Sequence, residues 1–261
     1  MNTLSIYQVD AFTSHVFGGN PAAVVPLQTW LPDATMQAIA MENNLAETVF
    51  FVKEGESFRI RWFTPAREVD LCGHATLAAA HVLFRHLSHS GSELCFSSAS
   101  GILKVIREGE QLSLDFPSRP PEAVDVPPQA LTDALGLAPM AILKSRDYLV
   151  VYPSESDVRS ICPDFRLLQS VDSLGIIITA PGDKVDFVSR FFAPAAGIDE
   201  DPVTGSAHCT LIPYWAQRLG RNSLQALQLS ARGGALSCVL QGDRVLISGR
   251  AVTYLEGRIT V

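Results

Sequence analysis

The feature that most constrains this sequence is a faint internal repeat spanning about half its length. The segment RWFTP at Arg61–Pro65 recurs as RFFAP at Arg190–Pro194, an offset of 129 positions in a chain of 261 residues. Each copy leads through an acidic residue and a glycine turn into an apolar stretch of helical character. Repeats at a fixed offset indicate a fold built from duplicated units. The sequence therefore predicts two similar halves, the second with three extra residues around 198–200.

The segments between these landmarks predict the fold class. Stretches rich in β-branched and aromatic residues predict strands at residues 5–9, 48–52, 58–63, 112–116 and 175–179. The spacing of Met36, Ile39 and Ala40 predicts a helix over residues 33–42, with Asp33 as its cap. Several strands with one long helix in each half favour an α+β fold.

A proline-rich segment divides the halves. Residues 117–121 read PSRPP, and prolines at this density cannot continue a central strand. We therefore expect an N-terminal domain over residues 1–117 and a C-terminal domain over residues 118–250.

Composition excludes several classes of function. Hydrophobic residues make up 47% and charged residues 18%, which indicates a compact globular chain. The net charge of −7, without runs of like charge, argues against nucleic acid as a partner. The longest apolar run, residues 174–180, is too short to cross a membrane, and no secretory leader is recognisable at the start. A cytoplasmic location is the default expectation.

Common cofactor and metal motifs are absent from the sequence. It contains no GxGxxG after a strand, no GxxxxGK[ST], no GxSxG and no HExxH. The five cysteines are scattered without a CxxC pair, so neither a disulfide framework nor a zinc knuckle is predicted. His86 and His89 end the first long helix, where histidines complement the negative helix terminus. We expect no metal and no cofactor.

Each half places a glycine directly before its long helix. The turns are Cys72-Gly73-His74 and Thr204-Gly205-Ser206. The first turn of a helix has unpaired N–H groups and a positive dipole, so it binds anions, and glycine lets a ligand approach closely. If the halves face each other, both helix starts can hold one carboxylate substrate in a shared cleft. The alternative is that His74 and Ser206 only cap their helices.

Two further side chains could move protons. Glu47 lies between a predicted helix and a predicted strand and could act as a general base, provided a desolvated cleft lets it take up a proton near neutral pH. The alternative is that Glu47 is a solvated surface residue. Cys72 could act as a thiolate at a helix start. Cofactor-free racemases need a second such group, yet the matching position holds Thr204, and Cys209 lies more than a turn further on. The alternative that Cys72 is buried and inert therefore remains open.

Four motifs in order resemble the phenazine-biosynthesis-like (PhzF) family. They lie in residues 9–22, 45–48, 63–76 and 200–207, and include FGGNPA, LAET, CGHAT and EDPVTGSA. The resemblance implies two pseudo-symmetric domains, each a β-sheet or barrel wrapped around a central helix, as in diaminopimelate epimerase. It also implies that a final strand within residues 251–261 completes the first domain.

The resemblance also implies a reaction. The phenazine-pathway member isomerises a dihydro-hydroxyanthranilate without cofactor or metal, and a single glutamate moves the proton between two carbons. Carried over by motif, the catalytic residues are Glu47, His74, Asp201 and Ser206. The residues implied in substrate binding are Gly73, Gly205, Asn20, Cys72 and Thr204. The family further suggests a homodimer acting on a small carboxylate metabolite.

One departure from the family's sequence pattern leaves the identity of the substrate open. Where the phenazine enzyme resembles Ala-Gly-His, this chain has Cys72-Gly73-His74. Three hypotheses follow: an isomerase that shuttles a proton on Glu47, an amino-acid or hydroxy-acid racemase that uses Cys72, and a metabolite-binding protein without chemistry.

Overall fold

A computed structural model describes residues 3–261, which divide into two compact units. Unit 1 comprises Met1–Asp115 with Ser248–Val261, and unit 2 comprises Phe116–Ile247. The boundaries lie two and three residues before those expected from the sequence.

Unit 1 is a mixed sheet with two helices. Its elements are β1 (Thr3–Ala11), β2 (Asn20–Leu27), α1 (Asp33–Asn43), β3 (Glu47–Glu54), β4 (Ser57–Phe63), β5 (Glu68–Val69), α2 (Gly73–Arg85), β6 (Glu93–Ser98), β7 (Gly101–Glu108) and β8 (Gln111–Pro117). The last strand of the chain (Ala251–Thr260) pairs antiparallel with β1, so the C-terminus returns to this unit.

Unit 2 is also a mixed sheet, with four α-helices and one 3₁₀ turn. Its elements are β9 (Glu122–Ala123), α3 (Gln129–Leu135), β10 (Ala141–Lys144), β11 (Tyr148–Val151), α4 (Glu155–Ser160), α5 (Phe165–Leu168), β12 (Ile176–Pro181), β13 (Phe187–Phe192), a 3₁₀ turn (Pro194–Ala196), α6 (Gly205–Leu219), β14 (Ser223–Gln228), β15 (Gly234–Gln241) and β16 (Arg244–Gly249). The C-terminal strand Ala251–Thr260 is β17.

Strand pairing shows that the two units are copies of one plan. In unit 1 the pairs β1–β2, β2–β3, β3–β4, β4–β6 and β6–β7 are antiparallel, parallel, antiparallel, parallel and antiparallel. In unit 2 the pairs β10–β11, β11–β12, β12–β13, β13–β14 and β14–β15 repeat that order. The long helix follows β4 and β5 in one unit and β13 in the other. The predicted α+β fold with a duplicated unit is confirmed.

The long helix of each unit is buried on nearly all sides. Nine of the thirteen residues of α2 are buried, and ten of the fifteen residues of α6. A helix that is apolar all round must be surrounded by other elements. Helix α2 contacts β1, β2, β3 and β17, while α6 contacts β14 and β15. These central helices fix the positions of the two glycine turns.

The repeated pentapeptide makes matched contacts in the two units. Arg61 binds Glu68 with two hydrogen bonds of 2.7 Å, and Arg190 binds Glu200 with two of 2.8 Å. Each guanidinium also lies over the phenylalanine two positions later, at 5.2 Å and 4.9 Å. The repeat therefore preserves an ion pair and its packing as well as a strand.

The helix predicted over residues 33–42 is α1, with Met36, Ile39 and Ala40 buried as their spacing requires. The prediction that Asp33 caps it is wrong. Pro32 occupies the cap position without a side-chain hydrogen bond, and Asp33 lies in the first turn. Its carboxylate pairs with Arg61 at 2.8 Å, so an ion pair across the fold takes the place of the local cap. Among residues 3–261, no helix is long and apolar enough to span a membrane.

Candidate active site

The predicted site residues fall into two sets, one in each unit. Unit 1 holds Asn20, Glu47, Cys72, Gly73 and His74, and unit 2 holds Asp201, Thr204, Gly205 and Ser206. Parallel pairing of β2 with β3 brings Ala22 beside Glu47, at the ends of the strands where Asn20 also lies.

His74 is the centre of the first set. Its Nε2 lies 3.0 Å from Oε2 of Glu47, and its Nδ1 lies 3.1 Å from the amide nitrogen of Asn20. Cys72 Sγ lies 3.5 Å from the same Nδ1. His74, Glu47 and Cys72 side chains are almost withdrawn from solvent, with Glu47 12% exposed. The alternative that Glu47 is a solvated surface residue is wrong.

The electrostatics favour a charged His74. Burial by itself lowers the pKa of His74, but contacts with Cys72 and Glu47 outweigh it, and the pKa lies well above the ordinary 6.5. The Asn20 amide can present either its NH₂ or its oxygen, so it can serve the ring in both protonation states. Oε2 of Glu47 makes no aligned hydrogen bond among residues 3–261, which leaves lone pairs for an incoming proton.

Cys72 does not carry the thiolate that a helix start can stabilise. Its residue is 7% exposed, and burial, followed by the charge of Glu47, raises its pKa to about 11. The thiol is therefore protonated at neutral pH. A thiol so buried is a weak nucleophile and a weak base.

This cluster also offers a possible set of metal ligands. Within residues 3–261, Glu47, Cys72 and His74 form the group whose potential ligand atoms all lie within 4.8 Å of one another. Carboxylate, thiolate and imidazole are zinc ligands, but binding would require the thiol to lose its proton.

The helix starts themselves are not capped by the predicted side chains. The cap positions are Cys72 and Thr204, and neither makes a side-chain capping hydrogen bond. His74 and Ser206 occupy the second helical position, and their side chains contact Glu47 and Arg146 instead. The interpretation of His74 and Ser206 as caps is therefore wrong. In α6 the Ala207 N–H donates to the Thr204 carbonyl over 3.2 Å, while the N–H groups at the very start of a helix have no intrahelical partner.

The second set is a hydrogen-bonded loop before α6. Thr204 donates to Asp201 over 2.5 Å, and its own backbone N–H donates to Gln228 over 2.8 Å. Gln228 is buried and also donates to the Asp201 carbonyl. These bonds hold the turn before Gly205 in one conformation. His208, one turn into the helix, donates from Nδ1 to the Thr204 carbonyl, and burial lowers its pKa to about 4.

Two contributors to this loop were missed from the sequence. Arg146 donates to the Ser206 hydroxyl over 3.2 Å and is held by two bonds to the buried carboxylate of Asp147. Gln228 is the other. Arg146 lies 60 positions from its partner, so no local spacing could have indicated the contact.

Strand register identifies what stands at the place of Glu47 in unit 2. Thr48 pairs with Phe63 of the first pentapeptide, and Ile176 pairs with Phe192 of the second. Thr48 and Ile176 are therefore equivalent positions. The residue before Thr48 is Glu47, and the residue before Ile176 is Gly175. A Cβ at Gly175 would lie 2.2 Å from the ring of Phe191, so a side chain there would require Phe191 to move. The acidic group therefore occurs in one copy only.

Comparison with known proteins agrees with this architecture. The family model described as phenazine biosynthesis-like protein matches residues 9–257. The chain belongs to this family. A Pseudomonas aeruginosa protein named as an uncharacterized isomerase is 58% identical over 98% of both chains. A Halalkalibacterium halodurans protein of the same kind of name is 48% identical over 99% of both.

Solved structures extend the likeness to the fold. A PhzF-family protein from Enterococcus faecalis is 49% identical and covers 100% of both chains with a TM-score of 0.97. A hydroxyproline epimerase from Agrobacterium vitis, 10% identical, superimposes over 98% of this chain and 92% of its own with a TM-score of 0.65. The fold is thus diaminopimelate epimerase-like, and the chain is an isomerase at the level of the family. The roles of individual residues remain predictions.

Proposed function

We propose that this protein is a cofactor-independent isomerase in which Glu47 moves a proton between two carbons of a small carboxylate metabolite. The observation that carries the proposal is the buried pair of Glu47 and His74, 3.0 Å apart at the start of α2. A carboxylate with free lone pairs beside a positively charged ring is suited to take a proton from carbon and return it.

The neighbouring groups have distinct roles in this mechanism. His74, as a cation 3.0 Å away, attracts the Glu47 carboxylate and orients it. The N–H groups of Gly73 and His74, at the positive end of the α2 dipole, hold the substrate carboxylate or the negative charge that develops on it. Asn20 holds the imidazole in place from the other side. Cys72 packs against the ring as a neutral thiol.

The difference between Glu47 and Gly175 supports one-base chemistry. A racemase that inverts a carbon by the two-base route needs a proton donor on one face and an acceptor on the other. The second unit offers no acid at the place of Glu47, and its helix start carries Thr204 and Ser206. A single base that removes and redelivers the proton fits a 1,3-type shift along a conjugated carboxylate.

The predicted roles of the second set form part of the proposal. Asp201 fixes the turn through Thr204. The family resemblance implies that Ser206 and Gly205, which follow this turn, take part in catalysis and in substrate binding. A homodimer acting in the cytoplasm completes the proposal, as the family resemblance suggests.

A racemase based on Cys72 is the second candidate, favoured by the 3.5 Å contact between Cys72 Sγ and His74 Nδ1. That contact could pass a proton from sulfur to the ring. Loss of stereoinversion in Cys72→Ser, together with retained activity in Glu47→Gln, would establish this candidate in place of the first.

The proposal is tested by isotope exchange. The protein is incubated in heavy water with a pool of small carboxylic acids, and mass spectrometry follows deuterium entering each compound. We expect at least one acid to gain deuterium with the native protein. Glu47→Gln, which keeps the shape but not the base, should lower the rate by about 10²–10⁴-fold.

Two controls give the experiment its meaning. Glu42→Gln alters an exposed carboxylate of α1 and should exchange like the native protein. Undiminished exchange in Glu47→Gln would refute the role of Glu47. If a metabolite raises the melting temperature of the protein but no compound in the pool gains deuterium, the protein binds metabolites without catalysing proton transfer.

A further inference from the structure

A cavity lies near the C-terminal end of the central helix of unit 1. Its volume is about 460 Å³, within the range of small-molecule sites. It is lined by the last turn of α2, the turn between β7 and β8, and the beginning of β17. His74 and Glu47 lie at the other end of α2, which is about 18 Å away at 1.5 Å per residue. This cavity is therefore separate from the candidate active site.

The cavity collects positive charge. Arg85, Arg107 and Arg250 line it, while Glu110 is the carboxylate among the lining residues. None of the three guanidinium groups pairs with a carboxylate within residues 3–261. The chain as a whole has a net charge of −7, so ion-pair partners are plentiful elsewhere. Three unpaired guanidinium groups around one cavity repel each other, and a bound anion removes that repulsion.

The cationic groups are partly fixed in advance. Arg107 lies 4.3 Å above the ring of Phe84 and donates to the Gly91 carbonyl over 3.2 Å. The backbone of Arg250 accepts a hydrogen bond of 3.1 Å from Thr13. Preorganisation of this kind lowers the entropy cost of binding a ligand.

Two histidines of the same wall share a hydrogen-bond partner. The Thr253 hydroxyl lies 3.0 Å from Nε2 of His81 and 2.8 Å from Nε2 of His86. One hydroxyl has one proton, so it donates to one ring and accepts from the other. Burial lowers the pKa of His81 to about 4, so that ring is neutral at pH 7.

We propose that this cavity binds a small metabolite through its phosphate group. The planar, always charged guanidinium can bind two phosphate oxygens at once. A phosphate has more oxygens than a carboxylate, so it can accept from more than one of the arginines that line the cavity. The cavity is large enough for a phosphate with a small organic group attached. Phe84 and Leu112 provide the apolar lining for that group.

The test is a calorimetric titration of the native protein with inorganic phosphate at constant ionic strength, with succinate as a second arm. We expect saturable phosphate binding and at least tenfold weaker binding in the double variant Arg85→Gln/Arg250→Gln. Both side chains are exposed, so the variant should fold, as circular dichroism can check. Arg59→Gln, an exposed arginine of β4, is the matched control and should bind like the native protein.

Several outcomes would overturn the proposal. They are no saturable binding by the native protein, equal affinity in the double variant, an equal loss in the Arg59 control, or succinate binding as tightly as phosphate. Glu47→Gln should bind phosphate normally. A failure of the isomerase proposal would therefore leave this result untouched, and the reverse also holds.

Discussion

The two helix starts of this protein have the same backbone and different chemistry. Both begin with glycine after an extended cap residue, and both follow a strand that carries the repeated ion pair. In unit 1 the second helical residue is His74, which contacts a buried glutamate. In unit 2 it is Ser206, which contacts an arginine, and glycine stands where the glutamate would be.

This difference shows how the two copies in a duplicated fold can take different chemical roles. The backbone of each helix start offers the same N–H groups for an anion. The side chains then specialise, because unit 1 keeps an acid and an imidazole, while unit 2 keeps a cation and hydroxyl groups. One start is equipped to move a proton, and the other is equipped to hold a negative charge.

The largest expected effect is on proton transfer in unit 1. His74→Gln keeps a donor near Glu47 but cannot carry a positive charge, so deuterium exchange should fall by about 10²-fold or more. His208→Asn changes the buried histidine of the other helix, preserves its bond to Thr204, and should lose less than tenfold. Equal losses in the two variants would show that the two helix starts do not differ as described.

The two buried histidines should also respond to pH in opposite directions. The pKa of His208 in the folded protein is about 4, below the ordinary 6.5, so its neutral burial stabilises the fold above pH 6.5 and that contribution is lost as pH falls toward 4. The loss by pH 4 is on the order of 3 kcal/mol. The pKa of His74 is raised, so its contribution is complete below 6.5 and is lost as pH rises through the higher value.

Urea unfolding of the native protein and of each variant separates these contributions. The stability difference between the native protein and His208→Asn should shrink on acidification from pH 7 to 4. The difference for His74→Gln should shrink on going to alkaline pH. A His208 difference that is flat with pH would contradict the assignment of that ring as neutral.

The repeated ion pair extends the comparison of the two units to folding stability. Arg190 and Glu200 are 13% and 22% exposed, while Arg61 and Glu68 are 21% and 42% exposed. Arg190 also donates to the carbonyls of Val158 and Ile161. Because removal leaves these acceptors unpaired, Arg190→Met should lower the free energy of unfolding by about 2 kcal/mol. Arg61→Met should cost less than about 1 kcal/mol, and a reversed order in chemical denaturation would contradict this.

The duplicated fold could be predicted from sequence because its signals are periodic and local. The pentapeptide and the glycine turns repeat at matched places, and the Met36, Ile39 and Ala40 spacing defines one buried face. Strands such as Ser223–Gln228 were not predicted, since they hold few β-branched or aromatic residues. Asp33 was misassigned as a cap because its real partner, Arg61, lies across the fold.

The candidate site was predicted only as far as its motifs extend. Glu47 and His74 were named from a family resemblance, and their 3.0 Å contact is a fact of folding. Arg146 and Gln228 reach the second helix start from distant loops and strands, so sequence spacing gave no sign of them. The alignment of Glu47 with Gly175 required the strand register.

The smallest effect concerns the charge at the second helix start. If Arg146 supplies a positive charge beside Ser206, Arg146→Gln should raise KM for the exchanging acid about tenfold, the cost of one weakened charged hydrogen bond. The rate at saturation should change little, because the proton is moved in unit 1. Arg146→Lys should recover part of the affinity, since it restores charge without the fork to Asp147.

The matched control for that measurement is Arg166→Gln, an exposed arginine of unit 2 outside the loop. An equal change in KM for both variants would mean that the overall charge of the protein attracts the substrate and that Arg146 makes no specific contribution to binding. A fall in saturated rate with constant KM would mean that the second helix start takes part in proton transfer. Either result would remove the division of work between the two copies, because that division requires Arg146 to act on binding alone.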